Sequence, residues 1–237
     1  MKIIVLSNTK YKENDYIYNA ISETECLSFK VCGGQSNKSP YVWLNNPLTI
    51  AEVEFGDKRF KYPPLKEAKL ISSPMTMNDS FDYLSVVSLI VEVANKMFQD
   101  EEKHLFFNDI VESLAALKAN KDKLMISIIL LARVIKIAGA ELEVDQCVFC
   151  GTRKDIVAFS FPDGGFLCRN CLSENANLDL TPSQMKLIRY AFKSPNYSCN
   201  GAEVYSKNDK ELILKHLQGY IYDDLGVDLN AIKQILN

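Results

Sequence analysis

Apolar and polar positions alternate in "CLSFKV" (residues 26–31) and "AEVEF" (51–55). In an extended chain Leu27, Phe29 and Val31 share one side, and Ser28 and Lys30 the other. Ala51, Val53 and Phe55 oppose Glu52 and Glu54 in the same way. Four further short runs, "IIVL", "DYIYNAIS", "YVWL" and "LKEAKLIS", are rich in β-branched and aromatic residues. Turn-forming stretches such as "CGGQSNKSP", "NNP" and "FGDKRF" separate them. Five or six short strands within 75 residues predict a small antiparallel barrel or sandwich. A closed barrel is the more attractive because closure removes exposed strand edges.

The pattern changes at "SSPMTMNDS". Asp79 or Ser80 is positioned to cap a helix that starts at Phe81. "FDYLSVVSLIVEVANKMF", "EKHLFFNDIVESLAALKA" and "KDKLMISIILLARVIKIAG" then read as three packed helices, the last ended by Gly139. Further on, "TPSQMKLIRYAFKS" opens with Thr181, has Pro182 in the first helical position and Gln184 three residues after Thr181, which is a capping box. "NDKELILKHLQGYIYDDLG" is a final long helix. The expected organisation is α+β, with a strand-rich domain at 1–78 and a helical domain at 79–237.

Composition adds little to this outline. The chain has 237 residues, is 47% hydrophobic and 24% charged, and carries a net charge of −3. No overall cationic field marks it as a nucleic-acid binder. Residues 1–80 hold ten Lys/Arg against nine Asp/Glu and are the less acidic part. The opening "MKIIVLSNTK" turns polar too soon for a signal peptide, so a cytoplasmic location is expected. "LMISIILLARVIKIAG" is interrupted by Arg133 and Lys136 and is too short and too charged to span a bilayer.

Four of the seven cysteines change the picture. Cys147, Cys150, Cys168 and Cys171 form two C-x-x-C pairs with seventeen residues between them. A two-residue spacing lets one tight turn aim two sulfurs at one ion, and Gly151 suits such a turn. "IVAFSF" and "GFLC" flank "PDGG", a hairpin signal. The pattern predicts one structural zinc ion in a ribbon at 145–173, with no open position for substrate. The alternatives are a site that has lost its metal and a pair of redox dithiols. Cys26 and Cys32 flank or belong to a strand and read as small apolar fillers, and no ligand or nucleophile role is expected for them or for Cys199.

Motifs for catalysis are missing: no H-E-x-x-H, G-x-S-x-G, P-loop or G-x-G-x-x-G is present. His104 and His216 sit in amphipathic helices without partner motifs and read as structural. Asp223 and Asp224 read as solvated. An enzyme is not expected.

Around the strand-rich part lie Lys10, Lys12, Lys30, Lys38, Lys58, Arg59 and Lys61, interleaved with Tyr11, Tyr16, Tyr18, Tyr41, Trp43, Phe60 and Tyr62. Cations that track phosphates beside rings that stack on bases make single-strand binders. Core rings with solubilising lysines fit the composition equally well. In "DKRFKY" alternation would set Lys58, Phe60 and Tyr62 on one face, and Arg59 and Lys61 on the other.

Three blocks carry a resemblance: "IVLSNTKYKENDYIY", "LARVIKIAGAELEVDQCVFCG" and, most specific, "AFSFPDGGFLCRNC". With them the chain resembles the RecO family of bacterial recombination mediators over most of its length. The resemblance implies an N-terminal OB-fold β-barrel followed by an α-helical domain carrying a four-cysteine zinc ribbon. It implies binding to single- and double-stranded DNA, annealing of complementary strands, contact with RecR and with the C-terminal tail of single-strand binding protein, and help in loading RecA. Location would be cytoplasmic, on the nucleoid when DNA is bound, with no membrane partner. Arg133, beside apolar helix positions, is a candidate for a tail carboxylate; its other reading is a helix surface charge. The chain departs from the family in two places. "KVCGGQSNKSP" offers only Lys30 and Lys38 where the family has a basic stretch, and "YIYDDLGVDLNAIKQIL" is not basic. DNA contacts would then be weaker or moved to residues 58–61. The alternative is an interaction scaffold with weak or no DNA binding.

Overall fold

A computed structural model describes residues 1–57, 59–74, 81–176 and 178–236. The chain divides into two compact units, Met1–Leu114 and Ala115–Asn237. The capping positions expected at Asp79 and Ser80, and the DNA-binding candidate Lys58, lie outside the described residues.

The first unit is built on five antiparallel strands: β1 (Lys2–Tyr11), β2 (Asp15–Ile21), β3 (Cys26–Val31), β4 (Ile50–Phe55) and β5 (Leu65–Ser72), in the order β3-β2-β1-β4-β5. β1 takes the centre because its "IIVL" run is apolar on both sides. Ile3 and Val5 enter a core with Tyr18, Ala20, Phe29, Val31, Ala51 and Val53. On the opposite face Ile4 lies across from Ile21 in β2 and Ile50 in β4, all buried, and helix α1 (Phe81–Lys96) packs against β1. Each such isoleucine contributes about 2 kcal/mol of burial. The alternation read from the sequence holds in β3 and β4: Phe29, Val31, Ala51 and Val53 are buried, while Glu52 and Glu54 are exposed. Leu6 forms a bulge between Val5 and Ser7, so both Val5 and Leu6 are buried.

The sheet does not close, and the expected OB-fold barrel is therefore incorrect. β3 and β5 end the sheet. Among the described residues the approach between its two sides is one isolated bridge, Lys30 to Pro64, with the Lys30 N–H donating to the Pro63 carbonyl at 3.0 Å. A barrel requires a ladder there. Two features explain the error. "YVWL", read as a strand, is a 3-10 turn over Val42–Asn45, held by the Trp43 indole N–H donating to the Pro40 carbonyl and by burial of Leu44. The edge strand β5 is guarded by charge instead of closure: Lys66, Glu67 and Lys69 are exposed along it. The segment 102–119, read as one helix, is a 3-10 turn at Lys103–Phe106 followed by α2 (Phe107–Lys118), within which the division into units falls.

In the second unit α3 (Lys123–Ile137) is the core, with ten of its residues buried. Asp122 caps its start, accepting from the Met125 N–H at 3.0 Å. Gly139, at φ +78°, ends it in the left-handed conformation that a helix C-terminus favours. The three-stranded sheet of β6 (Glu143–Cys147), β7 (Ile156–Ser160) and β8 (Gly165–Cys168) follows, then α4 (Pro182–Lys193), α5 (Lys207–Leu225) and the short α6 (Ala231–Ile235). α4 and α5 pack on α3 and on each other. The capping box is present as read: the Thr181 side chain accepts from the Gln184 N–H, and the Gln184 side chain accepts from the Thr181 N–H. Lys210 of α5 is buried and donates to Asp122 at 2.6 Å, tying α5 to the start of α3. Among the described residues, no helix is long and apolar enough to cross a membrane.

Candidate metal centre and nucleic-acid interface

β7 and β8 form the antiparallel hairpin around Phe161–Gly164, and β6 joins β8 in parallel, giving the order β6-β8-β7. This arrangement puts Cys147 at the end of β6 beside Cys168 at the end of β8. The first knuckle turns back through Gly151, at φ +71°, whose N–H donates to the Cys147 carbonyl at 2.8 Å. The second turns through a 3-10 turn at Arg169–Cys171, fixed by the Arg169 N–H on the Asp155 carbonyl. The sulfurs of Cys147, Cys150, Cys168 and Cys171 consequently all lie within 4.8 Å of one another, with Cys150 and Cys168 3.7 Å apart. Ligands about 2.3 Å from a central ion at tetrahedral angles stand about 3.8 Å apart. The donor set thus fits a metal ion, and it consists of soft sulfurs alone.

The electrostatics of the cluster point the same way. Burial pushes the Cys147 thiol up, but backbone N–H groups of Cys168, Cys150 and Phe149 directed at its sulfur outweigh burial and bring it down to about 6. Cys171 is pushed up to about 12 by hydrogen bonding with the Cys150 and Cys168 sulfurs, then by burial. Four sulfurs this close do not all ionise by themselves; a cation among them removes that conflict.

Residues outside the cysteine pattern buttress the hairpin. The Asp163 carboxylate accepts from the Ser173 hydroxyl and, at 3.4 Å, from the Asn175 amide, joining the hairpin turn to the segment after the second knuckle. The Ser173 hydroxyl, then that of Ser160, holds the Asp163 carboxyl below its usual range. "PDGG" signalled the turn, but nothing in it signalled Ser173 or Asn175. Gly165 is required for close approach: a Cβ there would fall on the Glu143 carbonyl oxygen, whose strand could not yield without losing the β6–β8 pairing. Gly165→Ala is expected to destabilise the second unit by about 1–3 kcal/mol, read as a lower midpoint in denaturant.

The cationic candidates fall into three groups. Lys12, at φ +54° in the β1–β2 turn, places its ammonium 5.5 Å from the Tyr11 ring centroid. Lys61 does the same to Tyr62 at 5.3 Å, and the two rings meet edge to face at 6.1 Å. Residues 11–12 and 61–62 are therefore one cluster. Lys30 and Arg59 are instead engaged by carboxylates: Lys30 with Asp15 at 3.8 Å, Arg59 with Asp57 at 2.6 Å. Lys10, on β1 opposite Tyr16, and Lys38, in the turn after β3, are exposed. The alternation read in "DKRFKY" does not apply, because residues 59–62 form turns and bends.

Arg133 is half-buried in α3. Its Nη2 donates to the Ser194 carbonyl at the end of α4 at 2.7 Å, while its buried Nε has no partner among the described residues. Of the other cysteines, Cys199 is buried, and Cys32 is not the apolar filler read from the sequence. Cys32 is exposed, and Cys26 is half-buried with its sulfur 3.9 Å from His104 Nδ1. His216 stacks on Phe161 at 5.5 Å, and burial lowers its pKa.

Residues 78–231 match the family model described as recombination protein O C terminal. The DNA repair protein RecO of Bacillus pumilus (strain SAFR-032) is 28% identical over 189 residues, covering 78% of this chain and 73% of its own. That of Thermoanaerobacter sp. (strain X514) is 26% identical over 243 aligned positions, covering 99% and 95%. The class so defined is a non-catalytic mediator of DNA repair and recombination. The chain belongs to the RecO family.

Proposed function

We propose that the chain binds single- and double-stranded DNA without sequence preference, anneals complementary strands, and helps load RecA onto DNA coated with single-strand binding protein. Residues 1–78 carry the DNA contacts. Residues 79–237, with the ribbon at 145–173, carry the partner contacts to RecR and to the tail of single-strand binding protein. The work is cytoplasmic, on the nucleoid. One zinc ion held by Cys147, Cys150, Cys168 and Cys171 supplies structural cross-linking and no chemistry.

The observation that supports this reading most is the Lys12–Tyr11–Tyr62–Lys61 cluster, in which two cations and two rings stand side by side. Polyanion binding through such cations depends steeply on salt, each neutralised phosphate adding about 0.7–0.9 to the slope of log affinity against log salt. Lys12→Ala and Lys61→Ala are each expected to lower the slope by about that amount. Arg59→Ala should lower it less, because Asp57 already engages the guanidinium. Titrating binding of a labelled oligonucleotide with salt tests this, and a flat slope for the unaltered protein sinks it. Annealing of complementary strands, compared with a variant in which Lys58, Arg59 and Lys61 are all alanine, tests the second step.

For the acidic tail, the groove at the end of α4 supports a site that Arg133 holds from beneath, its own Nε being buried. Ser194, whose carbonyl accepts a hydrogen bond from Arg133 Nη2, lines a groove of about 500 Å³ together with Lys186, Tyr190, Tyr205 and the Asp145-paired Arg189 and Lys193. The engagement of Lys30 and Arg59 by carboxylates favours a second reading, a scaffold with weak DNA binding. Capture by a tail peptide with no shift of DNA in a gel would select it.

A further inference from the structure

We infer that Tyr11 and Tyr62 form a base-stacking platform for unpaired strand, covered in the free protein by the ammonium groups of Lys12 and Lys61 and uncovered when phosphates draw those groups away. The inference rests on the DNA-binding reading above and assigns the class of nucleic acid to the same site.

Tyr11 ends β1 and Tyr62 lies in the loop before β5. Their rings meet at 65° with centroids 6.1 Å apart, and both remain half-exposed. Neither belongs to the sheet's apolar core, which contains Tyr18 and packs Tyr16, Tyr41 and Trp43 against it. Each ring carries one ammonium, at 5.5 Å and 5.3 Å. A cation over a solvated ring is held weakly. A phosphate competes for it with a full opposite charge and releases counterions as it does so. Moving the two ammonium groups to phosphates leaves ring faces open at the spot where the strand has just been anchored. Stacking on them tolerates sequence, because every base has a π-face. A duplex keeps its bases inside and gains only the charge contacts. Charge and stacking are thereby ordered in time: contact with the backbone exposes the surface that reads unpaired bases.

A purely structural role is the competing account, in which the ring pair merely pins residues 59–64 to the β1–β2 turn. Fluorescence anisotropy with the full chain separates the two. The probes are a strand of about 20 thymidines, an abasic strand with as many phosphates, and a duplex of that length, all at one low salt concentration. Tyr11→Leu with Tyr62→Leu is expected to weaken binding to the thymidine strand roughly 10- to 100-fold while leaving the abasic strand and duplex unchanged. Tyr11→Phe with Tyr62→Phe should restore the thymidine strand, since phenylalanine stacks equally. Lys12→Gln with Lys61→Gln should weaken all three. If the leucine pair weakens all three alike, or none, the platform is excluded while DNA binding stands. If the unaltered protein binds none of the probes, both readings fall.

Discussion

Replacing Cys168 with serine is expected to abolish metal retention and unfold the ribbon of β6, β7 and β8. Cys168 ends β8, is buried, and lies 3.7 Å from the Cys150 sulfur at the centre of the cluster. A serine hydroxyl there neither ionises near neutral pH nor favours a soft-ligand ion. Zinc binding by four thiolates contributes on the order of 10 kcal/mol to folding of the segment it joins, more than three strands of four or five residues supply through their own burial. Mass spectrometry under native conditions should find one zinc ion per chain in the unaltered protein and none in the variant. Amide exchange should show loss of protection in residues 156–168, and a strong chelator should reproduce that loss. Unaltered protein that contains no metal and still protects those amides would remove the structural role.

Asp122→Ala is expected to cost about 4 kcal/mol, as much as truncating a buried core side chain. Two losses combine. The buried ammonium of Lys210 is left without its counter-charge, which costs about 3 kcal/mol or more. The first turn of α3 also loses the carboxylate that accepts from Met125, worth about 1 kcal/mol. Lys210→Met should cost far less, because methionine fills the same space and the partly exposed Asp122 keeps its capping bond. Asp122→Asn separates the two terms, since asparagine caps but carries no charge. Denaturant midpoints at constant slope provide the measurement. Equal costs for Asp122→Ala and Lys210→Met would show that the ion pair is not what joins α5 to α3.

What could be read from the sequence depended on how local each signal was. The capping box at Thr181–Gln184, the stop at Gly139 and the two cysteine pairs are short-range patterns, and each stands in the structure where its spacing placed it. The strands of the first unit were legible wherever alternation ran for five or six residues. "YVWL" was not, because its aromatic and β-branched composition resembles a strand, while Pro40 and Pro47 confine it to one turn. That error carried into the barrel: the count of strands suggested closure, yet register and edge pairing are properties of residues far apart in the chain. The same distance hid the interface. Tyr11 and Tyr62 appeared only as two rings in a composition, since no periodicity links positions on opposite sides of three strands. Nor could the sequence show that Asp57 and Asp15 already hold Arg59 and Lys30. Unaided, it singles out residues 58–61 among seven cations and does not disclose that Asp57 holds Arg59.

The uncovered rim at β5 also bears on how the protein behaves in concentrated solution. Exposed Leu70 and Ile71 sit in the same strand as exposed Lys66, Glu67 and Lys69, so its stickiest positions travel with charges that a second copy would have to desolvate before pairing there. Burying Lys66, Glu67 and Lys69 in an edge-to-edge contact would cost more than covering Leu70 and Ile71 returns. The open edge is therefore kept from pairing with a second copy by the cost of stripping water from its charges.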